Sequence, residues 1–557
     1  MADILSIAQS GLHAAQAGIN TTGQNIANVS TPGYSRQVVE QQPSPSVQYG
    51  LTSVGQGTNV TGINRIYSEF LAVQANTART TSSNLATQSA EMQPINNLLT
   101  DSSSGLSTAI LDFFNKLQDL SSKPSDTSTR QTVISASQNL VARFNDAQKQ
   151  LTNVNSSLNI QIKDSVTKIN EAASQIASLN QQIAVSQTSR GGSNLNGLLD
   201  QRDQVVANLS KQIKLTVNEQ DGNYNVMIGN GVPLVLAFNT YTMESVASTD
   251  DPTRLNVSYT PTGGTEVDVS DVLLGGSLGG IFDFRKNILN PTQNTIGQII
   301  LAITTDINTV NKDGLKATGA QGTDIFTQPA SLATPYKTNS GSGGISIEID
   351  DTNLLTNSNY ILEKTSAGGT PAADLYSLTR VSDGVEIYSD SLLSAIDDDG
   401  FKVSIYTGTV STGDQFLLRP TYSGASSYSV TATINDIATA GAGDAPGTAP
   451  APGDNTNVLA MLAKQTDLVM NDGLSTYQDS LGGLISTVGN KSAELKATSA
   501  YADQWQQSSS IAMENYSGIN LEEEAANLLR YQQAYQASGT VLQMARQMFD
   551  SILGIMR

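Results

Sequence analysis

Residues 4–29 read ILSIAQSGLHAAQAGINTTGQNIANV, and residues 528–556 read LLRYQQAYQASGTVLQMARQMFDSILGIM. Both stretches place apolar or small residues at spacings of three and four, which is the pattern of helices that pack lengthwise on other helices. The N-terminal seam is Leu5, Ala8, Leu12, Ala15, Ile19, Thr22, Ile26 and Val29. The C-terminal seam is Leu528, Tyr531, Tyr535, Ser538, Leu542, Ala545, Phe549, Ile552 and Met556. The two ends of the chain therefore predict coiled-coil-like helices that can come together.

The composition of the seams predicts packing between molecules. The N-terminal seam mixes small alanine and threonine residues with leucine and isoleucine, so it is too weak to fold in isolation. We therefore predict that both ends stay loose until neighbouring copies cover them. The predicted assembly interface consists of Leu5, Leu12, Ile19, Ile26, Leu528, Tyr535, Leu542, Phe549 and Ile552.

The chain between the two ends alternates between helical and strand periodicity. Residues 126–190 contain neither glycine nor proline, which predicts one long helix that needs a parallel helical partner. The predicted fold class is α+β multidomain, with terminal coiled-coil-like helices, a long-helix rod domain built from both chain ends, and inserted β-rich domains. The predicted domains are a terminal helical core (1–40 and 518–557), a rod (41–205 and 458–517), a β-hairpin region plus helix (206–319), a β-rich outer domain (320–436) and a linker (437–457).

Composition excludes several classes of function. The 557 residues include 50 acidic and 30 basic side chains, and this excess of negative charge opposes binding to nucleic acid or anionic membranes. There is no cysteine and one histidine, His13, which we expect to face solvent. We predict no catalytic, cofactor-binding or metal-binding residues. The first residues lack the basic and apolar regions of a secretion signal, and no apolar run is long enough to span a membrane.

Three short motifs have a structural explanation that is better than the chemical one. The glycine-rich stretch 275–280 lacks the Lys-Ser or Lys-Thr of a phosphate loop, which favours a flexible turn before a helix. The acidic stretch 397–400 lacks a glutamate at the twelfth position of a calcium loop, which favours a β-turn. The acidic stretch 522–524 follows Asn520, which favours the capped first turn of a helix over a pair of catalytic carboxylates.

Several motifs together resemble a known family. The N-terminal sequences 10–12, 21–28 and 31–37 (SGL, TTGQNIAN and TPGYSRQ) resemble the signature of bacterial flagellar axial proteins, and residues 518–537 resemble the matching C-terminal signature. The LLDQRD sequence at 198–203, the GSLGG sequence at 276–280 and Ser35-Arg36-Gln37 are most similar to the hook-associated protein 1 family. The resemblance covers most of 1–315 and 455–557.

The resemblance implies a structural protein rather than an enzyme. Members of this family join the flagellar hook to the filament, so the implied location is extracellular, at the hook-filament junction. The implied partners are like subunits, the hook protein, hook-associated protein 3, a cytoplasmic export chaperone at the C-terminal helix and the type III export apparatus. No nucleic acid or membrane partner is implied. Export would occur without a cleaved signal peptide.

Two other interpretations remain open from the sequence. The first is another flagellar axial protein, such as the hook protein or a distal rod protein. The second is a secreted glycan-acting enzyme or adhesin, which would need a pair of catalytic carboxylates in the β-rich region and would leave both terminal signatures unexplained.

Overall fold

A computed structural model describes most of the chain. The described residues are 2–49, 52–100, 105–188, 194–261, 263–329, 331–368, 374–390, 399–422, 428–441 and 449–555. The helices are α1 (Ala2–Ala27), α2 (Glu69–Thr100), α3 (Leu106–Ser122), α4 (Thr127–Thr188), α5 (Leu195–Gln212), α6 (Gly276–Phe284), α7 (Asn290–Asp313), α8 (Thr456–Ala463), α9 (Tyr477–Ser517) and α10 (Leu521–Ile555). A π-helical segment, Arg285–Leu289, joins α6 to α7.

The strands fall into a proximal group and an outer group. The proximal strands are β1 (Gln37–Pro43), β2 (Val47–Tyr49), β3 (Thr52–Val54), β4 (Thr58–Arg65), β5 (Leu215–Gln220), β6 (Asn223–Ile228), β7 (Val232–Leu236), β8 (Asn239–Thr240), β9 (Met243–Ala247), β10 (Leu255–Tyr259) and β11 (Val267–Asp268). The outer strands are β12 (Phe326–Thr327), β13 (Leu332–Pro335), β14 (Gly344–Ile349), β15 (Tyr360–Ser366), β16 (Leu375–Arg380), β17 (Glu386–Asp390), β18 (Phe401–Thr407), β19 (Gln415–Arg419) and β20 (Ser429–Val430).

The two ends of the chain build a common rod, which confirms the predicted fold class. Helix α2 packs along α9, and α1 packs along α10. Ser82 of α2 donates a hydrogen bond to Asp503 of α9, 421 residues later in the chain. Helix α9 starts with a capping box, in which Thr476 and Asp479 each accept a hydrogen bond from the other's backbone N–H.

In the described part of the chain, no single helix runs along the whole of α4, although its length predicts such a partner. Its 62 residues extend for about 90 Å at 1.5 Å per residue. Short elements cover it in succession, namely α3, α5, α6, α7 and several of the strands from β6 to β20. Asparagine amides attach the strands to the helix. Asn180 donates to the carbonyls of Tyr224 and Ala237, and Asn170 both donates to and accepts from the backbone of Met243.

The proximal strands form antiparallel sheets on the rod. The sheet orders are β5-β6-β7-β8 and β11-β10-β9. In the predicted β-hairpin region, Asp221 and Gly222 join β5 to β6, and both have positive φ (53° and 78°), as a type I′ turn requires. Outside this region, β1 pairs with β4 and lies against α1. Strand β1 spans Gln37–Pro43, so the domain boundary predicted after residue 40 cuts through a strand.

The β-rich outer region contains a five-stranded antiparallel sheet of order β13-β19-β15-β16-β17 and the pair β14-β18. The start of the predicted linker does not behave as a linker, because Ile437, Ala438 and Ala440 are fully buried. Asn311 of α7 accepts a hydrogen bond from the Ala438 N–H at 2.8 Å. Apolar side chains and a paired backbone therefore bring these residues into the core.

The glycine-rich stretch 275–280 is a packing surface rather than a flexible turn. Helix α6 starts at Gly276, and Gly276, Gly279 and Gly280 are buried. A Cβ atom on Gly280 would lie 2.6 Å from the carbonyl oxygen of Asn84 in α2. The glycines therefore allow the backbones of α6 and α2 to approach closely.

Replacing Gly280 with alanine is expected to destabilise the rod, because the new methyl group would press on backbone that cannot move independently. Such overpacking costs about 1–3 kcal/mol. The Cβ position of Gly483 in α9 has no atom of another element within 4 Å, so Gly483→Ala provides the matched control. The thermal unfolding midpoint should fall for Gly280→Ala and stay level or rise for Gly483→Ala. Equal midpoints would show that the close approach is unimportant.

Candidate assembly site

Helices α1 and α10 pack antiparallel in a register that repeats every seven residues. A Cβ atom on Gly11 would lie 2.7 Å from the Ser538 Oγ, and one on Gly18 would lie 2.5 Å from the Tyr531 ring. Seven residues further along α1, Asn25 donates a hydrogen bond to Glu524 at 3.0 Å. Small residues on α1 therefore let the two helices approach closely. The next residue in this register on α10, Ala545, is also buried.

The predicted seams are only half covered by this pairing. The small members Ala8, Ala15 and Thr22 are buried in the same chain. The larger members of the N-terminal seam stay accessible, since Leu5 is 42% exposed and Leu12, Ile19 and Ile26 are half-buried. On α10, Leu528 and Leu542 are half-buried. The other predicted interface residues of α10 are exposed, namely Tyr535 (44%), Phe549 (54%) and Ile552 (45%).

The expectation that neighbouring copies alone cover the seams therefore differs from the structure, in which part of each seam packs on the other end of the same chain. The reason is the mixture of side-chain sizes. Small residues permit helix-to-helix contact along one line, while leucine, isoleucine and aromatic residues flank that line and stay accessible. That the accessible residues contact other copies stays a prediction.

Asn25 links three segments at the base of this helix pair. Its side chain is 1% exposed. The amide group donates to the Gln37 carbonyl at 2.9 Å and to the buried Glu524 carboxylate. The amide oxygen accepts from the Gln37 N–H at 3.0 Å and from the Tyr34 hydroxyl at 3.1 Å. Asn25 thereby connects α1, the loop after it and the first turn of α10.

The acidic stretch 522–524 begins α10, as predicted. The Asn520 side chain accepts from the Glu522 N–H at 2.9 Å, which confirms it as the N-cap. The two following carboxylates have further partners that capping alone does not predict. Glu523 forms an ion pair with Arg36 at 2.5 Å, and Glu524 accepts from Asn25. The only sequence signal for these contacts was the joint presence of both terminal signatures.

The LLDQRD motif binds the loop after α1 to the rod. Asp200 of α5 accepts from the Ser35 N–H at 3.1 Å and pairs with Arg65, also at 3.1 Å. Burial raises the pKa of Asp200, against the opposing effect of the hydrogen bonds from Ser35 and Arg65. Arg65 also pairs with Asp203, which in turn accepts from the Tyr224 hydroxyl at 2.7 Å. Asp200 and Asp203 therefore hold the loop and the end of β4 on α5.

Tyr34 lies between the contacts of Asn25 and the contacts of Asp200. Burial, together with the negative charges of Asp200 and Glu524, raises the pKa of its hydroxyl to about 12. The hydroxyl therefore keeps its proton at neutral pH and can donate to Asn25. We call the contacts of Asn25, Tyr34, Arg36, Asp200 and Glu524 the joint, because they connect the terminal helices to the rod.

A crevice lies beside the joint. The crevice has a volume of about 1350 Å³ and lies between the loop 29–35, α2 and the end of α9. Among the residues that the structure describes, no group of three or more histidine, aspartate or glutamate side chains could hold a metal ion. Within the same residues, no helix is long and apolar enough to cross a membrane. His13 is exposed, as expected.

The distribution of these motifs agrees with comparisons to known proteins. Family models match at three places: a flagella basal body rod protein model at 5–34, the flagellar hook-associated protein FlgK helical domain at 92–326, and a flagellar basal body rod FlgEFG protein C-terminal model at 512–555. Flagellar hook-associated protein 1 of Escherichia coli K12 is 34% identical over the full length of both chains. The chain belongs to the flagellar hook-associated protein 1 family.

Other members of the hook-associated protein 1 family support the same assignment. The Salmonella typhimurium protein is 35% identical over the whole of both chains, and the Bacillus subtilis protein is 24% identical over 99% of this chain and 97% of its own. The structure is similar to that of the flagellar hook junction protein FlgK from Burkholderia pseudomallei, with a TM-score of 0.72 and 25% identity. That match covers 80% of this chain and 100% of the other. The family predicted from the sequence is confirmed, and it is a family of flagellar structural proteins.

Proposed function

We propose that the chain is the subunit that joins the flagellar hook to the filament, and that it assembles with like subunits through α1 and α10. One observation carries this proposal. The helix pair leaves a row of large apolar side chains accessible at helical spacing, including Tyr535, Phe549 and Ile552 of α10. Contiguous exposed apolar patches mark interaction surfaces. The names of the relatives, a hook-associated protein and a hook junction protein, support the location.

The energetics favour assembly as the event that orders the terminal helices. Among the described side chains of the 35-residue helix α10, Glu524 and Ala545 are the fully buried ones. Ordering a residue's backbone costs about 1–2 kcal/mol, and the contact with α1 offsets only part of this, because it buries few large apolar side chains. Neighbouring copies that cover the accessible row would supply the missing burial. Head-to-tail contacts that do not close then produce a helical tube.

The proposal includes further partners. The hook protein would contact the tube on one side, and hook-associated protein 3 would contact it on the filament side. Before assembly, an export chaperone in the cytoplasm would cover the apolar row of α10, and the type III export apparatus would carry the chain out without a cleaved signal. The match of the FlgK helical domain to 92–326 favours this assignment over a hook or distal rod protein. No described feature favours a glycan-acting enzyme or adhesin.

The test is the double variant Leu542→Asp, Phe549→Asp in a strain that lacks the native gene. Buried charge would prevent neighbouring helices from packing, so electron microscopy should show hooks without filaments. The purified variant should keep the unfolding midpoint of the parent chain, because neither side chain belongs to the rod core. The matched control, Ile160→Asp with Phe238→Asp, changes two exposed apolar residues outside the terminal helices and should keep filaments.

The amount of variant in the culture medium separates assembly from export. An exported variant without filaments supports the proposed interface. Filaments of normal number and length on cells that carry the Leu542→Asp, Phe549→Asp variant would contradict it.

A further inference from the structure

The outer domain, which we define as residues 331–422, has a hydrophobic core of its own. The core side chains are Ile345, Ile347, Leu355, Tyr360, Leu362, Tyr376, Leu378, Phe401, Val403, Val410, Phe416 and Leu418. Leu301 of α7 is the only residue of this cluster that belongs to the rod. The chain passes to and from the domain through the short paired strands β12 and β20. A separate core on a two-stranded connection is the anatomy of an independent domain.

Polar contacts attach this domain to the rod. Asn294 of α7 donates to the carbonyl of Asn357 at 3.0 Å, and Gln298 of α7 donates to the carbonyl of Leu355 at 2.5 Å. At a second point, Asn353 accepts from the N–H of Gly473 at 2.6 Å, in the connection between α8 and α9. These contacts are directional hydrogen bonds. Among the described residues, Leu301 is the buried apolar side chain that the rod adds to the core of the outer domain.

The third attachment point contains a buried ion pair. Arg419, at the end of β19, donates to Asp251 at 2.8 Å, and these side chains are 3% and 1% exposed. Asp251 lies in the loop between β9 and β10, where it also pairs with Arg254 at 3.0 Å and accepts from the N–H and hydroxyl of Thr253. Beside the pair, Lys337 of the outer domain donates its N–H to the Thr249 carbonyl at 2.9 Å.

Both partners of the ion pair are fixed on their own side. The Arg419 guanidinium lies over the Tyr422 ring at 4.5 Å. The loop that carries Asp251 is fixed to the long helix through Asn159, which donates to the Thr253 carbonyl at 2.9 Å and accepts from the Leu255 N–H at 3.0 Å. The connection therefore runs without interruption from the outer sheet through the β9–β10 loop to α4.

We propose that the Asp251–Arg419 pair is an orientation lock, which holds the outer domain in one orientation on the rod. A buried ion pair contributes little net stability, because desolvation offsets the attraction. Moving the outer domain away would leave the Arg419 guanidinium without its carboxylate in a poorly solvated place, while Asp251 keeps Arg254 as a partner. The pair thus penalises every orientation except the one in which the two groups meet. Without it, the outer domain keeps its own core, and the remaining hydrogen bonds to α7, Gly473 and Thr249 allow a wider range of orientations about β12 and β20.

The absence of cysteine from the chain allows a direct test. Ile160 of α4 and Val385 of the outer domain are 62% and 49% exposed, so cysteines at these positions can carry spin labels without other changes. Pulsed electron resonance on the full chain should give a narrow distance distribution in the parent and a distribution at least twice as wide in Arg419→Met. Asp251→Asn, which removes the charge from the rod side, should have the same effect.

Lys402→Met is the matched control, because Lys402 forms an exposed ion pair with Asp350 within the outer domain. It should leave the width unchanged. Hydrogen exchange of β15 and β16 reports whether the outer domain stays folded. The proposal is overturned if the distance distribution of Arg419→Met is no wider than that of the parent. Loss of protection in β15 and β16 of Arg419→Met would overturn it as well, because the arginine would then be needed for the domain's own fold.

Discussion

Cells that carry Asn25→Ala in place of the native chain are expected to export the protein and to build hooks without attached filaments. The truncation removes the amide that donates to Glu524, whose side chain is 2% exposed. A buried acceptor that loses its hydrogen-bond donor costs about 1–3 kcal/mol, and a charged acceptor costs more. The Asn25→Ala substitution also removes the two hydrogen bonds to the Gln37 backbone and the acceptor of the Tyr34 hydroxyl. The joint should then fail to hold α1 and α10 together on the rod.

Two further variants make this prediction specific to the joint. Asn20 lies on the same helix with an exposed side chain, so Asn20→Ala changes helix propensity equally and should keep filaments. Glu524→Gln removes the charge that Asn25→Ala leaves unpaired, so the double variant should recover part of the filament number lost in Asn25→Ala. The measurement is the fraction of hooks that carry filaments, with the secreted protein quantified in parallel. Normal filament numbers in Asn25→Ala would refute the role of the joint.

The sequence predicted the local structure of the joint but not its contacts. Asn520 followed by glutamates indicates a helix start whatever the tertiary structure is, because the cap and the helix dipole act within one turn. The pairing of Asn25 with Glu524 joins residues that are 499 positions apart. Neither periodicity nor charge pattern specifies which of several polar side chains meet at that distance. Family resemblance identified the segments, and the coordinates were needed to show that they meet.

The seam pattern also could not predict which helix covers each apolar face. Spacings of three and four predict an apolar face but do not say whether the same chain or another copy covers it. Side-chain size carries that information here, since Gly11 and Gly18 allow close approach of α10 while Leu5 and Ile19 lie beside the contact. The length of α4 likewise did not predict its neighbours, because polar side chains make part of the contact. Asn170 and Asn180 bind strand backbones, and a seam analysis that counts only apolar residues ignores them.

Replacing Gly18 with leucine is expected to separate α1 from α10. A Cβ atom at this position would lie 2.5 Å from the Tyr531 ring, whereas the Cβ position of Gly23 on the same helix has no atom within 4 Å. Both substitutions add the same helix propensity, worth about 1 kcal/mol relative to glycine, so the difference between Gly18→Leu and Gly23→Leu reports packing alone. We expect filaments with Gly23→Leu and bare hooks with Gly18→Leu.

A disulfide between α1 and α10 reports the pairing itself. The Cβ position of Gly11 lies 3.5 Å from the Ser538 Cβ, which is within the range that a disulfide needs. The chain has no other cysteine, so the exported Gly11→Cys, Ser538→Cys chain, whether recovered from hooks or from the culture medium, should contain an intrachain bond and run as a monomer on a non-reducing gel. Adding Gly18→Leu should abolish the bond, and adding Gly23→Leu should keep it. Covalent dimers in place of the intrachain bond would show instead that α1 pairs with α10 of a neighbouring copy, and the close contact through glycine would then belong to the interface between subunits.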